Sequence, residues 1–256
     1  MFQARNDILG DAASTDARFN LSRAGRPEGP AYFRSPEGVA RGIGAAMQTM
    51  DPIPATPGAA LASPAVARNT APILEVLKAH MPGRGRVLEI AAGSGEHAVA
   101  FAAALPGLDW TPSDPSAEAR ASIAAWAASA GLPNLRAPLA LDVLDAATWP
   151  EGPLQAVVCI NMIHISPWAA TEGLMALAGS RLAVGGLLVL YGPYREADAP
   201  LAPSNAAFDE SLKARDPAWG LRDRDAVAAV AKAAGLALTR RIEMPANNLM
   251  LLFRRV

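Results

Sequence analysis

The chain is poor in the residues that build metal centres and covalent staples. It has one cysteine, Cys159, and three histidines. An internal disulfide is therefore impossible, and no Cys/His cluster with zinc-ligand spacing occurs. No apolar run reaches the roughly 18–20 residues needed to span a bilayer. The first residues, MFQARNDILGDAAS, lack a basic region followed by an apolar core, so no secretory signal is read there. Formal net charge is -1 over 256 residues, which gives neither nucleic acid nor an anionic membrane an electrostatic handle. These absences point to a reducing cytoplasm and a small-molecule partner. They leave the oligomeric state open. Apolar residues make up 51% of the chain, enough for a sizeable core.

What is present is centred on VLEIAAGSGEHA, Val87 to Ala98. An apolar run of strand type, Val87–Ile90, breaks into Ala91-Ala92-Gly93-Ser94-Gly95. A helical apolar pattern follows through Ala98, Phe101, Ala102 and Leu105. Gly93 and Gly95 lack a Cβ, so the backbone can turn sharply and a ligand can lie against it. The helix start behind them presents free N–H groups and a partial positive charge. Strand, glycine turn and helix together are the parts of a nucleotide-binding βα unit.

Residues 1–62 sustain no apolar period and repeat Gly and Pro (GRPEGP, DPIPATPG). They read as a disordered extension, with a short amphipathic turn at Val39–Met50. Met50 is an alternative start for a compact chain. Order is expected from Ser63, a helix cap followed by Pro64. Pro72 then predicts a kink or two short helices. Strands are expected at Leu108–Asp114, Leu135–Leu141, Ala156–Asn161, Leu187–Tyr191, Leu236–Met244 and Leu249–Arg255, with helices between most of them. The short link Pro245–Asn248 makes the last two an antiparallel hairpin. With Val87–Ile90 this is a doubly wound α/β sheet of seven strands, mostly parallel. Residues 63–256 form the folded domain. The stretch 192–222 is an ordered cover over the substrate side.

Ligands in such sheets sit beyond the carboxyl ends of the strands, where the strand order reverses. Asp114 lies about 20 residues past the glycines, where a carboxylate can accept both ribose hydroxyls. It also fits an Asp-Pro turn start. Asp142, followed by Val143, can take the exocyclic amine of adenine or cap the next turn. Glu89 lies inside the first strand, where a carboxylate needs a partner. It either anchors the glycine loop or a cationic ligand group, or faces an edge.

EIAAGSGEH, Asp114 and the LDVLD at Leu141 resemble the class I S-adenosylmethionine-dependent methyltransferases. The terminal hairpin fits that fold and does not fit plain dinucleotide dehydrogenases. RNTAPILEVL, CINMIHISPW, LYGPY, SNAAFDESLKARDPAWGLRD and MPANNLMLLFRR narrow the resemblance, from Ser63 onward, to domain-of-unknown-function family 938, methyltransferase-like proteins. The resemblance implies S-adenosylmethionine as cofactor in a Rossmann-like methyltransferase fold. Gly93 and Gly95, with Ala91 beside them, would approach its methionine moiety, Asp114 its ribose, and Asp142 with Val143 its adenine. TPSDPS lacks the bulky residue that many relatives of the wider fold place after the acid, so adenine stacking is unassigned.

In-line methyl transfer needs alignment, plus a base only if the nucleophile arrives protonated. Asn161 and His164 leave the fourth strand of the series beside the transferable methyl. They are the catalytic candidates, with Asn161 also a donor contact. An imidazole has an unperturbed pKa of about 6.5, suited to a general base; the other reading of His164 is structural. His97, in the first helical turn, is a donor-carboxylate contact or a cap. The acceptor side is expected from Tyr191, Tyr194, Asn205, Arg215, Trp219 and Asn247, whose polar mixture suits a small polar molecule. Two other readings stay open. Gly93-x-Gly95-x-x-Ala98 also fits a nicotinamide-dependent oxidoreductase, and a donor-binding but inactive scaffold would carry the same loop.

Overall fold

The computed structural model describes residues 60, 61 and 63–256. Of the extension read over 1–62, residues 1–59 and 62, with the turn at Val39–Met50, lie outside the described residues. The central strands are β1 (Gly85–Ile90), β3 (Leu154–Ile160) and β4 (Leu182–Gly192), flanked by β2 (Leu108–Pro112). The hairpin β7 (Leu236–Met244) and β8 (Asn248–Arg255) completes a six-stranded sheet of order β2-β1-β3-β4-β8-β7. Pairings from β2 to β4 are parallel, and the two involving β8 are antiparallel.

The apolar runs are continuous because both faces of the sheet are covered. Alternate residues serve opposite cores. Leu88, Val157 and Leu188 pack with Leu174 and Leu177 of α4 (Trp168–Arg181) and Val227 of α6 (Arg224–Ala233). Val87, Val158 and Val189 face Ile73 and Leu77 of α1 (Pro64–His80) and Phe101 of α2 (Glu96–Ala104). Helix α1 runs through Pro72 as one element. Helix α3 (Ala117–Ala130) starts at the Ser116 cap and stops at Gly131, in the left-handed region at φ 60.

The expected seventh strand, Leu135–Leu141, does not form. The segment runs beside β2 but meets it only at the isolated bridges Trp110–Leu135 and Ser113–Leu139. Arg136 N–H donates to Trp110 O and Leu139 N–H to Pro112 O. Pro138, between them, has no N–H to continue the ladder. The terminal hairpin forms as expected. Its turn places Ala246 and Asn247 both at φ 57, the backbone of a type I′ turn.

The 192–222 stretch is ordered. Short strands β5 (Tyr194–Arg195) and β6 (Arg222–Asp223) pair in parallel and enclose α5 (Pro203–Arg215). Phe208 and Leu212 of α5 join Leu221 in a small separate core. Asp209, inside this element, accepts from Arg195, from Lys213 at 2.7 Å and from Leu221 N–H at 2.8 Å. Among the described residues no helix is long and apolar enough to cross a membrane.

Candidate functional site

The strand order reverses at β1, which has β2 on one side and β3 on the other. The loop leaving β1 therefore sits at the switch point. Ala91 (φ 52), Gly93 (φ 57) and Gly95 (φ 92) all take left-handed conformations there. Ala92 N–H donates to Ser113 O at 2.9 Å, and Gly95 N–H closes a turn onto Ala92 O at 3.1 Å. The two glycines are not equivalent. A Cβ on Gly93 would meet nothing within 4 Å, whereas one on Gly95 would lie 2.8 Å from Ile123 Cα of α3. Gly93 leaves room against the loop. Gly95 lets α3 close on it, which gives this glycine a packing role of its own.

Glu89 and Asp114 flank this turn, and Asp142 lies on a separate turn further along the chain. Glu89 is 2% exposed and accepts from Trp110 Nε1 at 2.7 Å. Burial pushes its pKa up to about 7. Its partner is thus the indole of β2, while its backbone carbonyl accepts from both the N–H and the hydroxyl of Ser113. Asp114 is buried at the tip of β2. Its Oδ2 accepts from Gly93 N–H at 3.1 Å and its Oδ1 from Ser116 N–H at 2.9 Å. Burial raises its pKa, against these hydrogen bonds and Arg120. Asp114 thus combines both readings: it starts the turn into α3 and ties the glycine loop to β2. Asp142 is exposed and accepts from Leu144 N–H at 2.9 Å, a cap on its own turn. Val143, beside it, is buried, and its carbonyl oxygen would lie 2.5 Å from a Cβ on Gly173 of α4.

His97 is buried in the first turn of α2 and stacks on Phe101 at 5.1 Å. Burial lowers its pKa to about 4, and its Nε2 has no hydrogen-bond partner. Asn161 follows β3 in the left-handed region (φ 62), with its N–H donating to Tyr191 O.

His164 is not placed as a general base. It is 1% exposed, and its Nδ1 accepts from Arg222 N–H at 3.4 Å. A neutral ring that accepts at Nδ1 carries its proton on Nε2. That atom has no partner and abuts Gly192, where a Cβ would come within 2.5 Å. The ring meets Tyr194 edge-on at 5.0 Å. Burial, then the Arg222 charge, lowers the pKa to about 3. The cover has folded over the histidine, and its lone pair is used internally.

A cleft of about 290 Å³ opens between the start of α5 and the β7–β8 turn. Gly192 pairs with Leu249 and Met244 with Asn248, so it lies along the same carboxyl edge as the glycine loop. Of the expected acceptor residues, Tyr194, Asn205 and Asn247 line it. Asn205 Nδ2 donates to Asn247 O at 2.9 Å and Asn247 Nδ2 to Ser204 Oγ at 3.1 Å, which holds α5 on the hairpin. Tyr191, Arg215 and Trp219 do not line it. Tyr191 is 2% exposed in the core, because its strand position faces α1 and α2. Arg215 lies over the Trp219 ring at 5.4 Å at the far end of α5.

Glu196 and Arg241 also line the cleft and were not among the expected residues. Glu196 accepts from Arg241 Nε at 2.8 Å and Nη2 at 2.6 Å, and from Arg224 at 2.5 Å. Arg241, then Arg224, hold its carboxyl below the usual range. Glu196 and Arg241 lie 45 positions apart, and no local pattern joins them. Among the described residues no group of His, Cys, Asp and Glu could hold a metal ion.

Residues 60–255 match the model of the family described as Protein of unknown function (DUF938). The chain belongs to this family. The family match starts at Ala60, where the described chain also starts. Solved structures with the same fold include an O-methyltransferase family protein from Burkholderia thailandensis, at 18% identity and TM-score 0.64, covering 75% of this chain and 57% of that one. An O-methyltransferase family 2 protein from Planctomyces limnophilus, in complex with apigenin, matches at 23% identity and TM-score 0.64, covering 75% and 58%. The calicheamicin-biosynthesis methyltransferase CalO1, in an SAH-bound form, matches at 16% identity and TM-score 0.61, covering 74% and 55%. The chain thus spans little more than half the length of these proteins. The family member has the Rossmann-like methyltransferase fold.

Proposed function

We propose that this chain is an S-adenosylmethionine-dependent methyltransferase whose acceptor is a small polar molecule in the cleft between α5 and the hairpin turn. The observation that carries this reading is the open face of Gly93 beside the Asp114 carboxylate, at the switch point of a sheet that ends in a reversed hairpin. The residues fit the donor. The loop at Gly93 has room for it, Asp114 offers a carboxylate for the ribose hydroxyls, and the unpartnered His97 Nε2 offers a polar contact near the helix start. Asp142 would take the adenine amine from the rim. When bound, the donor supplies a methyl group on a positively charged sulfur, activated for in-line displacement.

The chain's own part is to hold and orient. Alignment of this kind can supply roughly 7–11 kcal/mol of a barrier. Little at the acceptor cleft suits proton abstraction near neutrality. Arginines hold Glu196 ionised and a weak base, and burial raises Tyr194 well above the usual tyrosine value. With His164 also neutral and engaged, the acceptor is one whose nucleophile is already unprotonated at neutral pH, such as a carboxylate.

Titration calorimetry against S-adenosylhomocysteine and NADH tests the reading. S-adenosylhomocysteine should bind and NADH should not. Asp114→Asn should weaken that binding by roughly 1.5–3 kcal/mol, the worth of hydrogen bonds to a charged group. Binding of NADH without S-adenosylhomocysteine would reject it. A label-transfer screen over small carboxylates would then find the acceptor.

A further inference from the structure

The glycine loop is held from a direction that its sequence motif does not show. Ser94, between the two glycines, is 6% exposed, and its carbonyl and hydroxyl are both engaged. Its carbonyl accepts from Ser122 Oγ of α3 at 2.7 Å, and its hydroxyl donates to Glu96 Oε2 at 3.0 Å. Each of these partners is in turn bound by the chain just ahead of α1. Ser122 Oγ accepts from Leu61 N–H at 2.9 Å, and Glu96 Oε2 accepts from Ser63 N–H at 2.7 Å. Leu61 is pinned a third way, since its carbonyl accepts from Trp126 Nε1 at 2.8 Å and its side chain is 8% exposed. Two relays therefore run from backbone amides 33 and 61 positions away in the hydrogen-bonded pairs and converge on one residue of the loop.

Resting on the donor-site reading above, we propose that the backbone at Leu61 and Ser63 is a strap that sets the glycine loop for the donor, with Ser122 and Glu96 as its positioning residues. The loop needs such a strap. Gly93 and Gly95 both sit at positive φ, and glycine visits other conformations about as readily. A loop with glycines on both sides of Ser94 will not hold its peptide planes by local preference. Fixing the Ser94 carbonyl to α3 and its hydroxyl to α2 fixes the planes between the two glycines. Helix α3 is a firm anchor because Ile123, next to Ser122, already fills the space beside Gly95. Neither Ser122 nor Glu96 has to touch the donor for this to work.

The test uses the full chain, with Ser122→Ala, Glu96→Ala and Ser122→Thr. The dissociation constant for S-adenosylhomocysteine is measured by calorimetry, and amide exchange across residues 93–96 is followed in ligand-free protein. Ser122→Ala and Glu96→Ala should each raise the dissociation constant about 5- to 30-fold, as expected for loss of a buried hydrogen-bonded partner. Exchange in the loop should speed up while the central strands stay protected. Ser122→Thr keeps the hydroxyl and should restore both readouts. A folded Ser122→Ala chain with wild-type affinity and wild-type loop exchange would overturn the strap. So would a loss of affinity that only tracks global unfolding. If the wild-type chain fails to bind S-adenosylhomocysteine, the donor reading falls. Loop exchange then decides the strap by itself: faster in Ser122→Ala upholds it, unchanged rejects it.

Discussion

The two ends of the carboxyl edge are built from opposite materials. Around the glycine loop the contacts are short: hydroxyls, backbone amides and buried carboxyls, with Ser94, Asp114 and Glu89 all under 9% exposed. Around the acceptor cleft they are long and ionised, with Glu196 between two arginines and Asp209 between Arg195 and Lys213. The electrostatics follow. Burial raises Glu89, Glu96 and Asp114. Arg241 lowers Glu196, and Lys213, the Leu221 N–H and Arg195 together lower Asp209 against its burial. One side suits a ligand held by backbone and fixed dipoles. The other is a charged seam held by ion pairs between the cover and both α6 and the hairpin.

The sharpest way to break this comparison is at Gly95. Alanine there meets the α3 backbone at 2.8 Å and must adopt φ 92. It should cost about 2–4 kcal/mol of fold stability in urea unfolding, the sum of overpacking and left-handed strain. Gly93→Ala has open space and should cost only about 1 kcal/mol from strain, yet it should weaken S-adenosylhomocysteine about tenfold or more by filling that space. Equal effects at both glycines would erase the distinction between a packing glycine and a ligand glycine.

A second test uses pH. Glu89 has its pKa raised from 4.5 to about 7 in the folded chain, so the folded state keeps a proton that the unfolded state has released. The corresponding stability is complete below about pH 4.5 and lost as pH rises through about 7, a change of about 3 kcal/mol at most. Glu89→Gln should flatten this slope in pH-dependent unfolding. The cover should behave the opposite way. Glu196 and Asp209 have lowered pKa values. Their contribution is present above the ordinary carboxylate range, near pH 4, and lost as pH falls through the folded values. Amides of α5 should lose protection in acid before those of β1 and β3.

The smallest effect is expected at Asn205→Ala. It removes the bond to Asn247 O and should cost about 0.5–1.5 kcal/mol. Donor affinity should stay level while the Michaelis constant for the acceptor rises. A matching loss of donor affinity would show that the two ends act as one.

What could be read from the sequence was local. The glycine loop and the terminal hairpin each rest on neighbouring residues, and each appears in the fold. A strand was expected over Leu135–Leu141, but Pro138 interrupts it at an edge where no second neighbour compensates. His164 looked available because its covering groups, Gly220 and Arg222, lie more than fifty positions away. The packing role of Gly95 was not legible because Ile123 belongs to another helix. The pairing of Glu196 with Arg241 is likewise set by the arrival of the last hairpin beside the cover, which no local pattern encodes.

The broken pairing beside β2 has a consequence for how copies of this protein meet one another. A free sheet rim with a full row of N–H and C=O groups is a template for a strand from another molecule. Here one flank is screened by a segment that touches β2 at only two bridges and carries a proline between them. The other flank, β7, bulges between Leu238 and Arg240 and carries the exposed residues Arg240 and Arg241. A bulge twists a strand away from flat pairing, and charge opposes a second copy of the same edge. Both rims thus resist stacking into extended sheets, and this resistance comes from the same irregularities that interrupt an otherwise regular fold.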